Sequence, residues 1–215
     1  MRAQTTAAVP QAWSAQGWAG SAAKRGLDIL SSGVVLTLSI PFWVVIGLAI
    51  LLDDGRPILY CQRRVGRGGR VFRVYKFRSM CREAEKYTGA VLAEEDDPRI
   101  SRVGRVLRKM ALDEIPQLLN IFKGDMSWVG PRPERPEFVS RFLEEIPGYG
   151  MRYQVRPGLT GMAQVRGRYH TEAADKLKYD LAYLREASPL LDFRLFVKSW
   201  LNTATGRWDA TGTRT

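Results

Sequence analysis

Residues 29–52 read ILSSGVVLTLSIPFWVVIGLAILL, a run from Ile29 to Leu52 without a single charged side chain. About 20 apolar residues are enough for a helix to cross a bilayer core, so this stretch decides the class of fold. Pro41 sits near its midpoint, where the missing N–H and the ring clash with the preceding turn oppose a straight helix, and Ser39 can bond a freed carbonyl. Lys24 and Arg25 precede the run, and Arg56, Arg63, Arg64, Arg67 and Arg70 follow it closely. Positive charge at both flanks favours holding both ends on the cytoplasmic side. Each half of the run rises only ~18 Å, too little for a ~30 Å hydrocarbon core. A re-entrant helix over residues 24–55, broken near Pro41, is therefore expected ahead of a through-span, with a buried core helix as the third alternative.

Outward from this segment, residues 1–23 are rich in Ala, Gln, Ser and Thr without apolar periodicity and are expected to form a mobile arm. Residues 56–204 are expected to form one cytoplasmic domain, and residues 205–215 a flexible tail. ILYCQRRVGRGGRVFRVYKFRSM predicts a β-hairpin turning at Gly66 to Gly69. Beyond a turn at Asp97-Pro98, Ser101 is placed to cap a helix whose Ile100, Val103, Val106, Leu107 and Met110 share one side. Further amphipathic segments align Phe138, Phe142 and Ile146; then Leu177, Leu181 and Leu184; then Phe193, Phe196, Val197, Trp200 and Leu201. The last, interleaved with Arg194 and Lys198, suits either a core or a membrane interface. The expected fold is mixed α and β, predominantly helical, with a re-entrant membrane helix, a small hairpin and several amphipathic interfacial helices.

The chain of 215 residues carries 33 Lys and Arg against 22 Asp and Glu, a formal charge of +11 that calls for an anionic partner. Cys61 and Cys81 have no metal-ligand spacing and His170 is the single histidine, which argues against a zinc site, a disulfide framework and a Ser-His triad. Against this background Asp113 and Glu114, in LDEIPQLLNIFKGD, stand out. If a helix starts at Leu112 or Asp113, Pro116 falls in its tolerant first turn and Asp113 caps it. Its free N–H groups and positive end suit a carboxylate or a phosphate. The two acids are placed to share a divalent metal, with Arg108 upstream and Arg132 in GPRP downstream to neutralise phosphate. Those are the parts of phosphoryl transfer, including transfer through an aspartyl phosphate.

The ordered motifs KRGLDILSS, KFRSM, DPRISRVGRVLRK, LDEIPQLLNIFKGDMSWVGPRPE, RPGLTGMAQVRGR and YDLAYL, from Lys24 to about Trp200, closely resemble the bacterial sugar transferase family, small monotopic phosphoglycosyl transferases. The resemblance implies transfer of a sugar 1-phosphate from a UDP-sugar to undecaprenyl phosphate, through a covalent aspartyl phosphosugar, in the minimal catalytic form of the family. It implies Asp113 as nucleophile, Glu114 as its partner in organising Mg2+ or a proton, and Arg108 and Arg132 as phosphate ligands. Lys76 and Arg78 in KFRSM, and Arg156 in RPGLTG, are further phosphate candidates, with salt bridging or turn formation as their alternative. It also implies a bacterial inner membrane location with the domain on the cytoplasmic face, among anionic lipids, in exopolysaccharide or glycoconjugate priming. The family's Ser-Pro break is here Ser39-Ile40-Pro41. Two other readings compete: a membrane-anchored nucleic-acid binder, against which the absence of any recognisable binding motif counts, and a silent scaffold of an assembly complex. Nucleic acid is not an expected partner, and neither sugar nor oligomeric state is set by the sequence.

Overall fold

The computed structural model describes residues 17–82, 84, 97–167 and 172–205. Helix α1 (Ala22–Asp54) opens with Ser21, whose Oγ accepts from the Lys24 N–H at 3.0 Å, and ends at Gly55, whose φ of 71° suits glycine. Only 22% of its most apolar stretch is buried. Leu30, Leu38 and Leu52 are among many large side chains left open on it, so it is no soluble core helix. The backbone stays helical through Pro41, where two half-helices were expected. Ser39 Oγ donates to the Leu36 carbonyl and accepts from Trp43 Nε1, so polar groups of this turn are satisfied within the helix.

The opposite side of α1 is fastened along its length. Near the start, Lys24 pairs with Asp192, Arg25 donates to the Ile121 and Phe122 carbonyls, and Asp28 accepts from Ser127 Oγ and the Trp128 N–H. Near the end, Ile46 and Ile50 bury against Phe77 and Leu107, Trp43 meets Phe77 edge-on at 5.2 Å, and Asp53 accepts from the Val103 N–H. The expected arm over 1–23 also changes: Trp18–Gly20 forms a 3-10 turn, Ala19 is buried, and Trp18 Nε1 donates to Asp192 at 2.7 Å. Residues 1–16, His170 and most of the expected tail lie outside the described residues.

Strands β1 (Leu59–Val65) and β2 (Val71–Phe77) pair antiparallel around the turn at Arg67–Gly69, as the glycines predicted. Helix α2 (Arg102–Lys109) is capped by Ser101 Oγ on the Gly104 N–H; Leu107 is buried, whereas Val106 and Met110 face out. A 3-10 helix, Leu112–Gln117, runs into α3 (Leu118–Lys123). Strand β3 (Ser127–Val129) pairs parallel with β4 (Gly158–Thr160), an element that three-residue strands hid from sequence patterning. A Cβ on Gly158 would lie 2.1 Å from the Gly130 nitrogen, so the two loops touch backbone to backbone.

Between those strands stand α4 (Pro136–Glu145) and a 3-10 helix at Tyr149–Gln154, and after them α5 (Met162–Arg166), α6 (Ala173–Glu186) and α7 (Pro189–Thr205). In α4, Val139 is buried and Phe142, Leu143 and Ile146 pack around it; in α6, Leu177 and Tyr183 are buried with Leu181 and Leu184 packed beside them. Helix α7 buries Leu195 and leaves Phe193, Trp200 and Leu201 open, so its predicted stripe faces outward. The fold is mixed α and β and predominantly helical, with α1 packed against α3.

A Cβ on Gly104 would sit 2.0 Å from the Ser79 carbonyl oxygen, whereas one on Gly26 meets nothing within 4 Å. Gly104→Ala is expected to destabilise by about 1–3 kcal/mol or more through forced backbone movement. Gly26→Ala is expected to be neutral or to stabilise by roughly 0.5–1 kcal/mol through helix propensity. Thermal unfolding of both in detergent checks the pair.

Candidate active site

Ala111, at the head of the 3-10 helix, holds a left-handed φ of 53°, and Asp113 and Glu114 occupy the first turn with Pro116 behind them. The cap position thus belongs to Ala111 and not to Asp113, because the helix begins at Leu112 and Asp113 lies within its first turn. The Asp113 carboxylate is paired with Lys76 of β2. Lys76 Nζ lies 2.6 Å from Glu114 Oε1 and 3.8 Å from Asp113 Oδ2. Arg132, from the loop after β3, donates its Nη2 to the same Glu114 Oε1 at 2.6 Å. The Arg108 charge, one turn upstream at the end of α2, is near enough to bear on Asp113.

Register follows from a residue the sequence reading passed over. Asn120 of α3 is fully buried; its Oδ1 accepts from the Tyr75 N–H at 3.1 Å and its Nδ2 donates to the Arg73 carbonyl at 2.7 Å. This fixes β2, and with it Lys76, against the helix that follows the acidic pair. An asparagine inside the apolar run LLNIF was the available signal.

The two carboxylates are driven apart electrostatically. Burial pushes the Asp113 carboxyl up, and Glu114 adds to this, against the pull of Lys76, Arg108 and Arg132. Burial would also raise Glu114, but Arg132 and Lys76 outweigh it and hold that carboxyl far below the usual range. Neighbouring acids with opposed shifts mark a division of roles: Glu114 is a fixed anion that orders two cations, and Asp113 is the under-compensated, more basic carboxylate. The Arg132 side chain remains 38% exposed, so an entering phosphate can reach it.

The remaining predicted arginines have other partners. Arg78 Nη2 donates to the Asp54 and Gly55 carbonyls at 2.7 Å each and pairs with Asp54, closing the end of α1. Arg156 Nε donates to the Gly124 carbonyl at 3.0 Å, beyond the end of α3. Neither is brought to the acidic pair by these contacts. Among the described residues no three His, Cys, Asp or Glu side chains gather as a metal cage. Two adjacent carboxylates do suit Mg2+, which is commonly held by one or two carboxylates together with substrate phosphates.

Residues 19–206, most of the chain, match the bacterial sugar transferase family. The chain belongs to that family. Over 186 residues it is 44% identical to the UDP-N-acetylgalactosamine-undecaprenyl-phosphate N-acetylgalactosaminephosphotransferase of Aeromonas hydrophila, covering 85% of this chain and 44% of that one. Over 182 residues it is 40% identical to the UDP-glucose:undecaprenyl-phosphate glucose-1-phosphate transferase of Caulobacter vibrioides, covering 82% and 67%. Over 180 residues it is 39% identical to the exopolysaccharide production protein PSS of Rhizobium leguminosarum bv. phaseoli, covering 80% and 90%. The chain therefore spans less than half of the Aeromonas relative and nearly all of the Rhizobium one.

The opposed shifts predict opposed effects on stability in this family member. Asp113, with its raised folded pKa, is destabilising while ionised, so Asp113→Asn should leave the unfolding temperature at pH 7 unchanged or higher. Glu114, with its depressed folded pKa, contributes stability that is present above the ordinary glutamate pKa and fades as pH falls below it. Glu114→Gln should lower the unfolding temperature at pH 7, by about 2–4 °C for each 1 kcal/mol lost, with a gap to the parent that narrows on acidification. Thermal scans at pH 7 and below pH 4.5 measure both.

Proposed function

We propose that this protein transfers a sugar 1-phosphate from a UDP-sugar to undecaprenyl phosphate at the cytoplasmic face of the bacterial inner membrane, priming polysaccharide or glycoconjugate assembly. The observation that carries the proposal is the buried Asp113 carboxylate beside Lys76, with Arg132 ordered next to it by Glu114. The relatives' names support the reaction class and include both an N-acetylhexosamine and a glucose donor, so the sugar is left as a UDP-hexose or UDP-N-acetylhexosamine.

In the first step an Asp113 oxygen attacks the donor's β-phosphorus, a new P–O bond forms, and the bridging P–O bond breaks to release UMP. In the second, a phosphate oxygen of undecaprenyl phosphate attacks the same phosphorus. The acyl phosphate bond then breaks, restoring the Asp113 carboxylate and leaving a polyprenyl diphosphate sugar. Lys76, Arg108 and Arg132 hold the phosphoryl oxygens as charge shifts between them, the main service a protein gives this chemistry. Glu114 keeps Lys76 and Arg132 aimed. Mg2+, if held by Asp113 and Glu114 with the donor's diphosphate, would neutralise phosphate charge.

A re-entrant membrane mode is supported by the contacts of α1. Its first turns dock through Arg25 and Asp28 and its last through Asp53 and Asp54, all on one protein body. A helix fastened at both ends to one body is suited to enter and leave by the same leaflet. The open apolar faces of α1 and α7, the latter carrying exposed Arg194 and Lys198 beside Phe193 and Trp200, suit acyl chains and anionic headgroups respectively.

Detergent- or nanodisc-held protein with Mg2+, undecaprenyl phosphate and a panel of UDP-sugars should release UMP with at least one donor, and Asp113→Asn should reduce release by about three orders of magnitude or more. Turnover near the parent rate in the variant would remove Asp113 as nucleophile. For topology, Ala23→Cys and Arg56→Cys, each in a Cys61→Ser, Cys81→Ser background, should both label from the cytoplasmic side; labelling of either from the periplasm would leave a through-span.

A further inference from the structure

The loop Pro131–Glu134, which carries Arg132, is gripped at four consecutive carbonyls. Pro131 accepts from the Gly158 N–H at 3.0 Å, Arg132 from Arg152 Nη2 at 2.8 Å, Pro133 from Arg64 Nη1 at 3.0 Å and Glu134 from the Val65 N–H at 2.9 Å. Pro131 and Pro133 flank Arg132 and have no N–H to contribute, so the loop depends on donors from elsewhere.

One of these donors stands apart. Arg152 is 3% exposed and its ion partner Asp180, from α6, is 1% exposed. The nitrogen that reaches the Arg132 carbonyl, Nη2, is the same one that lies 2.8 Å from Asp180 Oδ2. Arg152 Nη1 donates to Tyr149 Oη at 2.5 Å, and the guanidinium lies over the Tyr149 ring at 5.0 Å from its centroid. Nε of Arg152 is buried without a partner. Burial pushes the Asp180 carboxyl up to about 6 even with Arg152 beside it. A buried ion pair with an orphaned donor is a poor source of stability, and apolar residues of similar volume often replace such pairs without loss. Its use must lie in where it points.

We propose that the Arg152–Asp180 pair is a positioning device for the phosphate clamp: Asp180 aims Arg152 Nη2 at the Arg132 carbonyl, and this holds the loop so that the Arg132 guanidinium meets Glu114 and the donor's phosphate. Arg152 and Asp180 touch no substrate and act through Arg132. The proposal rests on the phosphoryl transfer reading for its effect on rate, but not for its effect on the loop.

The test combines Arg152→Met with Asp180→Leu, an apolar pair of similar volume, and reads two quantities in detergent-held full chain. Amide exchange at Val65 and Gly158, whose N–H groups bond this loop, should quicken at least tenfold while the unfolding temperature stays within a few degrees of the parent. UMP release should fall at least a hundredfold, and placing the same two changes in an Arg132→Ala background should lower it no further. Unchanged exchange at both amides would overturn the proposal whatever the enzyme's activity, and a full additional loss in the Arg132→Ala background would show that the pair does not act through Arg132. If the double variant does not fold, Asp180→Asn, which keeps shape and removes the charge, carries the same two readings. If the parent releases no UMP from any donor, the transfer reading fails, and the exchange measurement alone decides the positioning role.

Discussion

Helix α1 satisfies two opposed demands with one sequence: a broad apolar surface that water does not tolerate, and a polar seam that a bilayer does not tolerate. The seam resolves the conflict because each of its charges is answered by the protein body. Asp28 receives Ser127 and Trp128, Arg25 closes the carboxyl end of α3, and Asp53 receives the first turn of α2. These contacts set the positions of α2, α3 and β3, the elements that frame the acidic pair. Under the proposed function, membrane attachment and assembly of the acidic pair are thus one packing problem, and a change that loosens the seam moves both.

The same economy governs the site. A chain with formal charge +11 places its Asp-Glu pair among arginines, and the two acids respond differently to one field. Glu114 sits between two cations and is held ionised, while Asp113 is desolvated and compensated less fully. Neutralising Asp113 as completely as Glu114 would make a better salt bridge and, in the proposed reaction, a worse nucleophile. Ala111, strained in a left-handed conformation beside them, fits a segment held by its surroundings for a purpose other than its own stability.

Much of this was legible in the sequence, and what was not has a common cause. The uncharged run, the glycine turn of the hairpin, the Ser101 cap and the Asp113-Glu114 pair are local signals, each fixed by neighbours in the chain. Arg78, Arg156 and Lys76 look alike in sequence, yet only Lys76 reaches the acids; the other two close helix ends, a distinction that depends on tertiary docking. Asp113 reads as a helix cap until the 3-10 start shifts that role to Ala111. Asp180 left a trace: spaced three residues after Leu177 and four before Leu184, it occupies the apolar stripe of α6, where an ionisable group demands a buried partner. Periodicity marks such a position and is silent on Arg152, 28 residues away.

Asn120 carries a further consequence. A two-stranded ribbon has two open edges, and an open edge is a template for any other strand that drifts past. By offering an acceptor to the Tyr75 N–H and a donor to the Arg73 carbonyl, the Asn120 amide imitates one residue of a third strand on the outer side of β2. On the other side, the Glu134 carbonyl occupies the Val65 N–H at the end of β1. The ribbon is stoppered on both flanks by single groups. Each flank therefore offers an incoming strand fewer free backbone groups, without the bulk of additional strands.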